Sequence, residues 1–279
     1  MAHFQELARV LLSAGGALDP TDKGTHFLYT NNGILTSKQL IGDKWGDQEI
    51  LAKDVRKDSP AAFLLSDETH FIAYITSSST LAAIQYDEED EEWYEVEGLP
   101  SHRLHPEGKL AACFLAESEK FYVFFQDPSN RLLCLDSEWS SSTLPAVPRA
   151  NSPLCSTILD DSVHIFYIAD GDHCIHYLLE EDGTWVDNVL ATCVLDETLI
   201  RFTVGKSDEG ILEAYVLTAG KVVLQIVGTA DGERRELGKI DESGTFIPGT
   251  DAECCLIIPI VVICGWWKVR RRRRRCCCW

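Results

Sequence analysis

The chain has 279 residues, 45% of them hydrophobic and 25% charged, with seven Trp, eight Tyr and eleven Phe, a balance that excludes a disordered chain and supports one large packed domain with appendages. Its net charge of −19 is uneven: Lys268 and Arg270 to Arg275 supply seven of the 25 basic residues, so residues 1–267 hold 18 against 44 acidic ones. A body so negative repels nucleic acid, whose affinity rests on Lys and Arg neutralising phosphates, and that class of partner is excluded.

From the N-terminus, Met1 to Leu12 carries Glu6 and Arg9 inside its apolar stretch and does not read as a secretory signal. No stretch beyond it shows a helical period longer than two or three turns. A repeat follows instead. Tryptophans stand at Trp45, Trp93, Trp139 and Trp185, with separations of 48, 46 and 46 residues. Upstream of each lies an apolar run ending in an aromatic: Thr25 to Tyr29, Thr69 to Tyr74, Phe121 to Phe125 and Val163 to Tyr167. Further strands precede these at Ala61 to Leu65, Leu110 to Leu115, Leu154 to Leu159 and Ile200 to Val204. A fifth unit spans Ile211 to Leu217 and Lys221 to Val227 without its Trp, and Asp241 to Pro248 supplies a candidate closing strand.

Asn31-Asn-Gly33, Asp127 to Asn130, Asp170-Gly-Asp172, Asp182-Gly183 and Asp231-Gly232 punctuate the runs as hairpin turns. Strand, hairpin, strand and a Trp-bearing closing strand at this period predict an all-β propeller of five, alternatively six, four-stranded blades over residues 1–250. A C-terminal tail, 251–279, follows it. Cys113, Cys134, Cys155, Cys174 and Cys193 are scattered singly, as small buried residues of a reduced, cytoplasmic compartment are.

The segment Ser162 to Leu190, SVHIFYIADGDHCIHYLLEEDGTWVDNVL, and after it Lys120 to Leu144, resemble the fungal fucose-specific lectins of the Aleuria type; the resemblance runs over roughly residues 7 to 240. It implies a propeller with sugar sites between blades, where an Arg two places before the aromatic pair and a Glu in the next strand hold sugar hydroxyls. An aromatic ring of the adjoining blade covers the sugar's apolar face. At the Arg position this chain has His26, Phe71, Tyr122, His164 and Leu212, and at the Glu position Thr36, Ala83, Cys134, Tyr177 and Leu224, so no blade carries the pair. The remaining candidates for a ligand site are His164 with Tyr177 and Trp185, and His26 with Trp45; Trp93 and Trp139 hold the same repeat position. The competing role for all four tryptophans is packing between blades.

Other chemistry is thinly represented. His173, Cys174 and His176 lie together, but strand alternation puts His173 on the opposite face from the other two, and no metal site is expected. Asp87 to Glu92 are six consecutive acids, read as a solvated hairpin tip. No pair of carboxylates stands out as glycoside hydrolysis requires, and no phosphate loop or nucleophile motif is present, so neither catalytic residues nor a cofactor are expected, with a glycosidase the less favoured alternative.

The tail reads CCLIIPIVVICGWW, then Lys268, six arginines and Cys276-Cys-Cys-Trp279. Fourteen apolar residues broken by Pro259 are too few to span a bilayer. The pattern fits interfacial insertion, with Arg270 to Arg275 on an anionic membrane surface and Cys254, Cys255, Cys264, Cys276, Cys277 and Cys278 as candidates for lipidation. The expectation is a non-catalytic carbohydrate-binding propeller tethered to a membrane, with a protein-binding propeller lacking sugar affinity as the alternative.

Overall fold

A computed structural model describes residues 2–249, apart from residues 20, 22, 23, 67–69, 116, 117, 182, 208 and 230; the expected tail lies outside the described residues. Runs rich in β-branched and aromatic residues, broken by Asp, Asn and Gly, fold as successive antiparallel hairpins. Blade 1 consists of β1 (Gly15–Leu18), β2 (Thr25–Asn31), β3 (Ile34–Ile41) and β4 (Lys44–Lys53). Blade 2 has β5 (Ala62–Leu65), β6 (His70–Ile75), β7 (Leu81–Asp87) and β8 (Glu92–Glu95). Blade 3 has β9 (Leu110–Leu115), β10 (Lys120–Gln126), β11 (Leu132–Asp136) and β12 (Ser141–Thr143). Blade 4 has β13 (Cys155–Leu159), β14 (Ser162–Ile168), β15 (Ile175–Glu181) and β16 (Thr184–Ala191). Blade 5 has β17 (Leu199–Lys206), β18 (Leu212–Thr218), β19 (Val222–Val227), β20 (Arg234–Ile240) and a short fifth strand, β21 (Phe246–Pro248).

Each sheet runs in chain order from an inner to an outer strand, and burial falls along the same direction. The inner strands β5 and β9 are buried almost throughout, whereas β12 and the Lys44–Ile50 part of β4 are exposed. Inner strands converge near the axis, which demands small residues. A Cβ on Gly15 would sit 1.9 Å from the carbonyl oxygen of Ala61, so only glycine lets blades 1 and 2 approach there. The core is therefore four apolar layers between successive blades. Leu28, Leu35 and Ile72 anchor the first, Phe71, Val123 and Phe125 the second, Phe124, Ile165 and Tyr167 the third, and Phe166, Phe202 and Val216 the fourth.

A helix closes the ring between blade 5 and blade 1. In α1 (Ala2–Leu12), Phe4, Leu7, Ala8 and Leu11 recur at helical spacing and bury against Tyr215, Leu217, Val223 and Phe246 of blade 5. Val10 points the other way, to Phe27 and Leu40 of blade 1. The Gln5 amide donates to Gly244 O and accepts from Phe246 N, both at 2.9 Å, which ties the helix to the edge strand β21. Asp241 to Pro248 thus belongs to blade 5, as its turn and fifth strand, and the architecture has five blades with a helix in the remaining gap.

The turns follow one device: Asp87, Asp127, Asp136 and Asp241 each accept backbone N–H groups two to four residues on. The acidic run Asp87 to Glu92 forms the exposed β7–β8 tip.

Candidate ligand-binding groove

Side chains alternate across a sheet, so each blade offers one face to the next blade and the other to the preceding one. On blade 1, Leu28 and Leu35 face blade 2, and Phe27, Tyr29, Lys38 and Leu40 face away from it, toward α1. Pairing of β2 with β3 sets Tyr29 opposite Thr36, and pairing of β3 with β4 sets Leu40 opposite Trp45 and Lys38 opposite Gln48. These residues enclose a groove of about 320 Å³ lined by Tyr29, Asn31, Thr36, Lys38, Trp45 and Gln48.

Trp45 is 41% exposed, its ring edge-on to Phe27 at 5.5 Å, and the Arg9 guanidinium of α1 stands 5.7 Å from the ring centroid. That is cation–π distance. Burial pushes the Tyr29 phenol up, partly offset by Arg9, so it remains a neutral donor at physiological pH. The groove thus offers an apolar ring, an ammonium, two amides and two hydroxyls, and none of its six lining residues is a carboxylate. Hydrolysis by two flanking carboxylates has no basis at this place.

The other sequence candidates lie elsewhere. His26 projects from the opposite face to Trp45, with its ring 5.6 Å from Phe63 of blade 2, so His26 and Trp45 are not brought together. His164 and Tyr177 do meet, their rings 5.7 Å apart beside Phe166, and the His164 ring nitrogen Nδ1 lies 3.0 Å from Ser162 O. Burial lowers the His164 pKa. Trp185 faces away from that pair, edge-on to Phe124 of blade 3 at 5.9 Å. Trp93 packs on Phe63 of its own blade and donates Nε1–H to Glu49 of blade 1 at 3.0 Å, and Trp139 packs on Phe71 and Phe121.

His173 and His176 also diverge. His173 meets Asp196 at 2.9 Å, whereas His176 bridges Asp172 at 3.0 Å and Asp187 at 3.3 Å, with Tyr167 donating its hydroxyl to the same Asp187 at 2.8 Å. Burial and that hydrogen bond push the Tyr167 phenol far up. No group of three or more metal-ligating side chains occurs among the described residues. Arg9, Tyr29, Asn31, Lys38 and Gln48 are not among the sequence candidates. For Tyr29, Asn31 and Lys38 the available signal was alternation counted back from Trp45 through two hairpins; Gln48 reaches their face through the β3–β4 slip, and Arg9 comes from α1.

No protein-family model matches the chain, nor does any curated protein sequence. Solved structures do match in fold. AofleA from Arthrobotrys oligospora superposes with a TM-score of 0.64 at 15% identity over 84% of this chain and 74% of that one. A mutant of the Aleuria aurantia lectin in complex with alpha-methyl-L-fucoside gives 0.62 at 15% identity over 81% and 78%. Another structure of that lectin, described as a six-bladed β-propeller, gives 0.60 at 16% identity over 81% and 78%. Luciferin-regenerating enzyme gives 0.53 at 11% identity over 83% and 78%. At such identities the shared property is the propeller fold, which lectins and an enzyme both use.

Proposed function

We propose that the protein is a non-catalytic carbohydrate-binding propeller whose site is the groove on the face of blade 1 that looks toward α1. The observation that carries this reading is the half-exposed Trp45 under Arg9, with the polar fan of Asn31, Lys38 and Gln48 beside it and no carboxylate in the lining. A sugar ring offers one apolar face to an indole and hydroxyls at its edge to amides and an ammonium. Fold neighbours solved with an alpha-methyl fucoside make a fucose-type sugar the first ligand to try.

The test is a glycan array probed with the full chain, followed by calorimetric titration of the best hit against Trp45→Ala and Arg9→Ala. Trp45→Ala is expected to weaken binding by about fivefold or more, since stacking on an aromatic ring contributes on the order of 1–3 kcal/mol. A blank array overturns the sugar reading and leaves a protein-binding scaffold. The tail belongs to the same proposal on its sequence alone: Arg270 to Arg275 would bring the propeller to an anionic membrane. Cosedimentation with phosphatidylserine vesicles, lost when those six arginines become Gln, is the expected result; equal sedimentation of both chains contradicts it.

A further inference from the structure

A strand at the rim of a sheet presents unpaired N–H and C=O groups, and proteins shield such rims with charge, irregular pairing, shortness or an added strand. Four blades do so here. Among the described residues, β4 carries Lys44, Asp47, Glu49 and Lys53 and slips twice against β3, β8 carries Glu92 and Glu95, β12 has three residues, and β20 is covered by β21. Blade 4 is the exception. Its outer strand β16 is eight residues long and pairs with β15 without a slip from Thr184 to Val189. Its one charge, Asp187, is already engaged by His176 and Tyr167. No strand pairs with its outer side among the described residues, and Val186 and Val189 stay 40% and 47% exposed along it. Asn188 donates its side-chain amide to Val186 O at 3.2 Å, which covers one acceptor of that rim.

The chain itself carries a segment suited to this edge. Residues Cys255 to Ile263 read CLIIPIVVI, and six of these nine are β-branched, the residues that favour strands. Pro259 suits an edge strand, where its missing N–H faces away from the partner. The direction in which the described chain leaves blade 5 agrees. β21 runs antiparallel to β20, with Phe246 opposite Ile240 and Pro248 opposite Gly238, and Gly249 donates to Leu237 O at 2.7 Å, so the chain beyond heads toward Arg234. That end of β20 abuts the end of β16. Arg234 pairs with Glu197 of the connection between blades 4 and 5, and a Cβ on Gly232 would lie 3.1 Å from Cys193 N, just past β16. Roughly 7 Å of strand from Glu236 to Arg234 and about 10 Å between packed sheets separate Gly249 from β16, whereas the chain from Gly249 to Cys255 reaches about 20 Å. Arriving at the Ala191 end, it runs back toward Thr184, antiparallel to β16.

We propose that residues 255–263 add a fifth strand to blade 4, paired with β16 and covering Val186 and Val189, as β21 adds one to blade 5. The apolar run then belongs to the propeller instead of a bilayer, and Arg270 to Arg275 lie beyond it as the membrane contact. The proposal does not rest on the carbohydrate reading, whose groove is on blade 1.

Hydrogen exchange of the full chain, followed by mass spectrometry without membranes, tests this. The amides of β16 are expected to exchange at least tenfold slower in the wild type than in an Ile258→Asp/Val261→Asp double variant, while β14 of the same blade stays unchanged. In the reverse experiment, Val186→Glu/Val189→Glu is expected to speed exchange at residues 255–263 at least tenfold, because charge on an edge blocks strand addition. Equal β16 exchange in the wild type and the tail variant, a change shared equally by β14, or exchange at residues 255–263 indifferent to the edge variant would each overturn the proposal. Protection of β16 that rises with protein concentration and survives the tail substitutions would overturn it too, since a second copy would then occupy the edge.

Discussion

Trp45, Trp93, Trp139 and Trp185 occupy one repeat position and differ in what faces them. The last three look onto the preceding blade, at Glu49, Phe71 and Phe124 respectively, and act as packing residues. Trp45 looks onto α1 and keeps 41% of its surface exposed. Trp139→Ala is accordingly expected to cost about 2 kcal/mol of stability in urea denaturation, against under about 1 kcal/mol for Trp45→Ala. Similar losses for the two would contradict this division. The repeat period located these tryptophans but not their faces, which depend on how each hairpin pairs. The β3–β4 pairing slips twice, at Leu35/Thr36 and at Lys38/Leu40. The slip at Lys38/Leu40 lies beyond Trp45 and brings Gln48 opposite Lys38, whereas His26 and Trp45 stand apart because they pair with Gln39 and Leu40, neighbours that point to opposite faces of the sheet.

Among elements, the strands were legible and the helix was not. Hydrophobic runs and Asp-rich turns placed most inner and middle strands within a residue or two, since both signals are local. The inner strand β1, Gly15–Leu18, carries almost no apolar signal because its place beside Ala61 requires glycine. For α1, the spacing of Phe4, Leu7, Ala8 and Leu11 was present in the sequence. Eleven residues make a helix too short to declare itself, and its stability comes from the tertiary faces it covers. Leu11 is 1% exposed against blade 5, so Leu11→Ala should lower the unfolding free energy by about 3 kcal/mol, whereas an isolated, frayed N-terminus would show almost none. Chemical denaturation decides between them.

For the whole molecule, five blades and a helix share one acid-sensitive design. His26 in blade 1, His102 before blade 3 and His164 in blade 4 all have pKa values lowered by burial. Each binds its proton more readily unfolded, so stability is full above the ordinary histidine value of 6.5 and falls as pH drops below it. Carboxylates such as Asp160, held down by Lys206, act in the same direction only at lower pH. Urea midpoints should therefore be lower at pH 5.5 than at pH 7.5, and His164→Phe, which keeps the stack on Phe166 and Tyr177, should flatten part of that slope. An unchanged slope in the variant would remove His164 from this account.

The most direct measurement is a crystal structure of the full chain with the tightest glycan from the array. The expected result is the sugar ring against the Trp45 indole, beneath Arg9 and within hydrogen-bonding reach of Lys38 or Gln48. A glycan bound at the His164–Tyr177 face instead, with the Trp45 groove unchanged, would contradict it.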